Sequence, residues 1–456
     1  MLVFEQEISI PKRTHAASTL QYLGKQVQSR LADNLFPLRF VITESASDEY
    51  QCEVAVLTDV DSQRLTHDSI FRFVRRGGET TSQFNVVLVV PTGIGAEIGG
   101  HAGDACPVAL LMASMCDTLV THPNVVNASD INEIPHNALY VEGSVLTRLL
   151  MGTVGLQSVR ANRVLVIIDE HQDELFVHTT VNAVSAGRAV YGLNCTGVVC
   201  LDPPVKLRAR FASSGRATGR VDNLEGLCAV LDERRGQYDA VSISSVIDVP
   251  REFHMAYFEA EGKMVNPWGG VEAMLTHTLT GLYGVPTAHS PIYESLEIAN
   301  EDPGFVDPRM AAEAVSVTFM QCTLKGLARS PRIVTDEDAI RRPGVFSVED
   351  VSCLVIPDGC LGLPTLAAVE QGIPVIAVRE NRNVMRNDLT ALPWAAGQFH
   401  GVENYWEATG VLAALKAGIA PESVRRPLPR TLIERRKVEQ ALSDFSSVVP
   451  RKSSTQ

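Results

Sequence analysis

Hydrophobic and polar positions along the chain fall into two rhythms. Leu2–Ile10 alternates with a period of two, as a half-buried strand does, and Leu38–Thr43 and Cys52–Leu57 are two further strand-like runs. Leu20, Leu23, Val27 and Leu31 recur at helical spacing, which predicts a helix within Thr14–Ala32. These pieces predict a small N-terminal α/β unit over residues 1–80, closed by the polar stretch Arg75–Ser82. Asn85–Val90 is then an unbroken apolar run ended by Pro91, followed by a loop over Thr92–Ala105, a helix from Pro107 to Met115 and a strand at Asp117–Val120. Leu139–Met151 reads as a helix and Val164–Ile168 as a strand. The same grammar returns as strand Val205–Phe211, loop Ser213–Asn223, helix Leu224–Arg234 and strand Ala240–Ile247. It returns once more as strand Val351–Ile356, loop Pro357–Pro364, helix Thr365–Gln371 and strand Pro374–Val378. Repeated strand, loop, helix, strand is the order of a parallel sheet covered by helices. The expected fold is α/β, with parallel, Rossmann-like sheets in two lobes, 81–200 and 201–456, beside the N-terminal unit. The Ser-rich tail from about Ser446 predicts disorder.

Composition narrows the function. A length of 456 residues exceeds one core, and 45% apolar with 20% charged residues is an ordinary globular balance. The net charge of −13 disfavours nucleic acid and anionic lipid as partners. The densest basic stretch, Arg425–Lys437, is interrupted by prolines and Glu434 and reads as a solvated face. Nine scattered cysteines without a C-x-x-C pair read as reduced thiols. The N-terminus lacks the order of a signal peptide, and no apolar run reaches the roughly 18 residues of a membrane span. The expected compartment is therefore the cytoplasm, and a homo-oligomer, by base rate a homodimer, is the expected state.

Chemistry is expected at loops that leave strands. The loop TGIGAEIGGHAGDA holds Thr92, Gly93, Gly95, Gly99 and Gly100, and its glycines permit close backbone approach to a ligand. It is not a dinucleotide fingerprint, because the third glycine stands one place late and the next strand ends in Thr121-His122-Pro123 without an acid. Glu97 and Asp104 in the same loop suit acid/base work, a substrate hydroxyl or ammonium group, or a divalent cation, for which Mg²⁺ is the candidate. Asp104 equally suits a cap for the following helix. No metal ligand set is identified, and no cofactor is assigned. His122, Asn124 and Asn127 form a polar cluster after the next strand. Ser213–Arg220, with Ser214, Gly215, Arg216 and Thr218, is the expected anion loop before a helix. Glu272 and His277 share a helix, but a spacing of five puts them about 140° apart, so nothing in that spacing makes them share a site. His289 follows a strand near Val285, as His122 follows its own. Cys322 and Cys360 are candidate nucleophiles by position alone, and Cys106, after the Gly-rich loop, is placed to pair with Cys360 in the manner of the two-cysteine racemases, although its flanking residues do not match theirs.

Val89–Gly95 echoes Val355–Gly362, so each lobe is expected to present a Gly-rich turn, the second through Asp358 and Gly359, at the carboxyl end of a strand. The strings VVPTGIGAEIGGHAGDA, LVTHPNVVNA, LYVEG, GGVEAMLTH and PTAHSP resemble a protein family of unknown function known from cyanobacteria and other bacteria, over roughly residues 85–380. The resemblance implies that these loops form one functional region, and it implies no activity. Separately, CLVIPDGCLGLPTLAAVEQGIPVIAV is similar to the nucleotide half-site of two-lobed glycosyltransferases and sugar-nucleotide epimerases, where Glu370 and Gln371 would have to reach a ribose. Three functions are expected in this order: an enzyme performing acid/base chemistry on a small carboxylate- or phosphate-bearing metabolite, with Glu97, Asp104, His122 and His289 as its reactive groups; a sugar-nucleotide transferase or epimerase; and a non-catalytic metabolite-binding protein.

Overall fold

The apolar run at Asn85 becomes the strand Asn85–Leu88, every residue of which is buried. It lies inside a six-stranded sheet in a computed structural model that describes residues 1–13, 18–46, 48–316, 318–428 and 430–436. The tail expected to be disordered lies outside those residues. Across the sheet the order is Phe399–Val402, Val375–Val378, Cys353–Pro357, Asn85–Leu88, Thr118–Thr121 and Ala138–Tyr140, with every pair parallel. The chain steps outward from Asn85–Leu88 in one direction. After a long excursion it returns beside its starting strand and steps outward the other way. Alternate residues supply two cores. Val86 and Leu88 pack with Met112 and Leu412 on one face, and Val87 and Val89 with Leu146 and Leu366 on the other. Helices thus cover both faces, and buried parallel strands show unbroken apolar runs for that reason.

The excursion builds a second sheet. Cys195–Leu201, Val164–Asp169, Ala240–Asp248 and Thr287–Ile292 form a parallel strip. The end of Ala240–Asp248 pairs with Lys206–Phe211, and the sheet continues antiparallel through Ala217–Asp222, Val3–Pro11, Glu49–Thr58, Leu35–Ser45 and Leu361–Gly362.

This pairing corrects four expectations. The N-terminal strands do not stand apart, since Val3 pairs with Val221 and Leu361 with Ile42. Strand pairing crosses the cut expected at 200/201, because Val164–Asp169 joins Ala240–Asp248 and Asn85–Leu88 joins Cys353–Pro357. The echoed turns therefore leave neighbouring strands of one sheet, where the Val89 N–H donates to the Val355 carbonyl at 3.0 Å. Within Leu139–Met151 a strand, Ala138–Tyr140, precedes the helix Gly143–Leu150, because the Glu142 carboxylate accepts from the Ser144 and Val145 N–H groups and fixes the helix start. Periodicity locates apolar segments but is blind to their partners.

The Gly-rich loop folds over the ends of the first sheet. Gly103 holds φ at +82°, and a Cβ there would lie 2.1 Å from the Ala128 Cβ. Gly103→Ala is expected to destabilise the fold by more than the about 1–2 kcal/mol of left-handed backbone strain, because it adds that contact. Urea unfolding of the variant measures it.

Candidate functional site

The carboxyl ends of both sheets converge on a cavity of about 290 Å³. Thr92, Gly93, Gly100, His122, Asn124 and Asn127 enter it from the first sheet, with Glu142 and Gly143 at the start of the helix Gly143–Leu150. From the opposite wall the helix Gly269–Tyr283 presents Glu272, Ala273, Thr276 and His277, and the strand Thr287–Ile292 presents His289. A smaller chamber of about 150 Å³ adjoins it and shares Thr92, His122, Gly143, Ala273 and His277 as walls.

Two Glu–His pairs face the larger cavity. Glu142 is buried, and its Oε1 meets the His277 Nδ1 while its Oε2 caps the helix start. Burial pushes the Glu142 carboxyl up, but the charge and hydrogen bond of His277 and the bonds from Ser144 bring it below its ordinary value. The Glu272 Oε1 meets the His289 Nδ1 at 2.9 Å, and the His289 Nε2 meets the Ser245 Oγ at 2.7 Å. The Glu272 side chain is 26% exposed and that of His289 only 1%, so the carboxylate is the member of the pair in reach of a ligand. Ser245 is fully buried and lies behind the ring, outside the cavity lining. Serine, histidine and glutamate here line up as in a nucleophile relay, but the burial of the hydroxyl makes Ser245 an anchor for the His289 ring.

His122 is neutral at pH 7. Burial, only partly offset by Glu142, pushes it down to about 4. Its Nε2 accepts from the Val90 N–H at 3.2 Å, which leaves the ring proton on Nδ1. Asn124 donates to the carbonyls of Val90 and Gly99, and Asn127 to the Tyr140 hydroxyl, so both amides pin the loop.

Glu313 was outside the sequence reading. It is buried, accepts from the Ala102 N–H at 2.7 Å and from Asn266, and lines the cavity. Burial pushes its carboxyl up to about 7, and pushes Asp104 up to about 7 as well. Asp104 Oδ1 accepts from the Gly99 and His101 N–H groups, whereas its Oδ2 is buried without a partner among the described residues. Both carboxyls stay protonated in the fold where the unfolded chain has ionised them. The fold then binds more protons, and stability falls as pH rises from about 4 towards about 7. Asp104→Asn keeps the two accepted bonds and removes one titrating group. Its melting temperature is expected to decline less than that of the wild type between those pH values, which thermal unfolding across the range measures.

Several expected site residues lie elsewhere. Glu97 is bonded to Arg309 and Arg382 at 3.0 Å each, in a partly exposed ion-pair cluster outside the cavity. Asp104, Gly95 and Gly99 shape the loop behind its lining. The expected anion loop is a hairpin end between the strands Lys206–Phe211 and Ala217–Asp222, and it does not precede a helix directly. Arg216 reaches the wall of the smaller chamber, but its Nη1 is held by Glu5 and Glu53. Ser214 donates to Glu53 and Thr218 to Glu5, and Gly215 closes the turn. Asp358 and Gly359 lie behind the chamber wall, with the Asp358 carboxylate accepting from the Gly359 N–H at 2.9 Å. Burial raises the thiol of Cys106 to about 11 and that of Cys360 above its usual range, which removes the thiolate a nucleophile requires. Gln371, expected near a ribose, spends its amide on the carbonyls of Val74 and Leu150 and on the Arg76 N–H. Among the described residues no three His, Cys, Asp or Glu side chains converge as a metal site. The sequence reading missed Glu142 and Arg148, and it separated His277 from Glu272. The available signal was the pattern Glu272, Ala273, Thr276, His277, two i,i+4 steps along one helix face.

The family model for proteins of unknown function (DUF3326) matches residues 85–425. The chain belongs to this family. The match contains every residue of the two Glu–His pairs and both sheets' contributions to the cavity. A relative from a Synechococcus species, named an uncharacterized lipoprotein, is 34% identical over 361 residues, covering 78% of this chain and 98% of the relative. That name overturns the expectation of a cytoplasmic protein, which rested on the order of residues at the N-terminus. Among the described residues no helix is long and apolar enough to cross a membrane. No solved structure matches the chain.

Proposed function

We propose that this protein is an enzyme that moves a proton on a small carboxylate- or phosphate-bearing metabolite, in an isomerisation, elimination or group transfer. The observation that carries the reading is the pair of Glu–His dyads, Glu142–His277 and Glu272–His289, on the walls of a single cavity. General acid/base catalysis requires a proton-transferring side chain held in one orientation within reach of the ligand. Glu272 meets that need: its carboxylate faces the cavity and the buried ring of His289, itself fixed by Ser245, holds it. In this reading Glu272 takes the proton, the electron pair passes to the carbonyl oxygen of the substrate, and the proton returns from Glu272 or from the Glu142–His277 pair on the facing wall.

The strand order supports a ligand in the adjoining smaller chamber, whose walls include residues at the ends of Asn85–Leu88 and Cys353–Pro357. Numbered from Asn85–Leu88, the parallel sheet reads 3-2-1-4-5-6, the order of a Rossmann-like doubly wound sheet, and such sheets bind ligands where the order reverses. The sugar-nucleotide reading has less support, because Gln371 is spent inside the protein and Leu361–Gly362 pairs with Val41 and Ile42 across the turn.

The test is a panel of small 2-oxo and 2-hydroxy acids and their phosphorylated counterparts, incubated with the protein in D₂O and followed by proton NMR. The expected result is deuterium incorporation next to the carbonyl or loss of a substrate signal for a subset of the panel. A panel that stays unchanged throughout, beside clear ligand-induced stabilisation by one of its members, would favour a binding protein.

A further inference from the structure

The smaller chamber lies at the reversal point of the parallel sheet, between the ends of Asn85–Leu88 and Cys353–Pro357, and its walls are largely apolar, with Phe40, Ile70, Leu146, Ile356 and Leu363 among them. Three guanidinium groups also line it: Arg39, Arg148 and Arg216. Two of them have carboxylate partners, since Arg39 pairs with Glu5 at 2.9 Å and Arg216 with Glu5 and Glu53. Arg148 is the one left over. It is 5% exposed, and its Nε and Nη1 are buried without a hydrogen-bond partner among the described residues. Glu142, the carboxylate whose charge acts on Arg148, has committed its oxygens to His277, Ser144 and Val145.

A buried cation without a partner is costly, and the cost is relieved when an anion enters. Burial pushes Arg148 down to about 10, with Glu142 acting against the shift, so the group remains charged at neutral pH. A guanidinium offers paired N–H donors that match the two oxygens of a carboxylate. One unspent guanidinium among apolar walls suits a single negative charge on an apolar stem better than a dianion.

We propose that the smaller chamber binds the carboxylate of a small carboxylic acid on Arg148. The rest of the molecule then extends past Thr92 and His277 into the larger cavity, towards Glu272. This inference rests on the acid/base reading and names its substrate class: a small monocarboxylate that carries a short apolar segment.

The experiment measures melting temperature for the full chain with butyrate, with butan-1-ol as the uncharged control and with inorganic phosphate. A native-state ligand raises the melting temperature in proportion to its binding. Butyrate is expected to stabilise the wild type, butan-1-ol to leave it unchanged and phosphate to act less than butyrate. In Arg148→Met the butyrate shift is expected to vanish while the ligand-free melting temperature holds or rises, because an unpaired buried charge has gone. Should that variant not fold, Arg148→Lys keeps the charge and loses the fork, and a butyrate shift smaller than that of the wild type is expected. No butyrate shift in the wild type, an undiminished shift in the Arg148 variants, or a larger shift with phosphate overturns the proposal. Glu272→Gln separates the two readings. If butyrate stabilises through Arg148 but no acid exchanges deuterium, the acid/base reading fails and the anion site stands. If exchange is lost in Glu272→Gln but unaltered in the Arg148 variants, the anion site fails alone.

Discussion

Glu272→Gln is expected to slow deuterium incorporation into a responsive acid by about 10²–10⁴-fold, the usual contribution of a positioned general acid or base. The amide preserves the shape of the side chain and can still contact His289, so the ring and its bond to Ser245 remain in place. The carboxylate is partly exposed to the cavity, so the change should cost little stability. The decisive comparison is with Ser245→Ala. Ser245 touches only the far nitrogen of His289 and lies outside the cavity lining. Its loss should weaken the orientation of the ring and lower the rate by less than the loss of the carboxylate. A nucleophilic serine predicts the reverse ranking: Ser245→Ala would then abolish turnover and Glu272→Gln would impair it partially. Rate constants for the two variants, measured by NMR on the same acid, decide between these mechanisms.

Arg216→Met is expected to destabilise the protein by about 3–5 kcal/mol, the range for stripping one partner from a buried ion pair. Arg216 is 2% exposed, and Glu5 and Glu53, which it joins, are 4% and 2% exposed. Burial raises the Glu5 carboxyl, but the guanidinium groups of Arg39 and Arg216 and the hydroxyl of Thr218 bring it down to about 2. Burial also raises Glu53, which depends on Arg216 as its main compensating charge. Without Arg216, Glu53 must either protonate or remain charged in an apolar setting. The double variant Arg216→Met with Glu53→Met should recover much of the loss, because it removes both charges together. Urea unfolding of the two variants checks this. A single variant as stable as the wild type would mean that the guanidinium is free, as an anion loop requires.

Arg216 also shows where sequence reasoning changed sign. The string SSGRATGR carries the residue types of an anion site, and nothing in its local spacing reveals Glu5 and Glu53. Those carboxylates arrive from strands more than 160 residues away in the chain, and their pairing with the hairpin consumes the charge. Arg148 was the opposite case. On a helix read as ordinary, its apolar neighbours gave no sign of function, and only the assembled chamber shows that its Nε and Nη1 are buried with no acceptor among the described residues. Glu142 falls within Leu139–Met151, a segment that reads as one continuous helix, yet the strand Ala138–Tyr140 places it at a buried helix start opposite His277.

By itself the sequence determined many of the local elements and several of the residues that meet at the cavity. Unbroken apolar runs, helical spacing and glycines that tolerate positive φ are properties of neighbouring residues, so they survive without knowledge of the fold. Thr92, Gly93, Gly100, His122, Glu272 and His289 were all found in this way, and all line one cavity. The tertiary structure alone decided which strands share a sheet, which charges are spent and which are left over. Strand pairing brings together segments such as Asn85–Leu88 and Cys353–Pro357, and burial then sets the cost of every unpaired group. Both depend on contacts between residues distant in the chain, which no pattern of neighbours records.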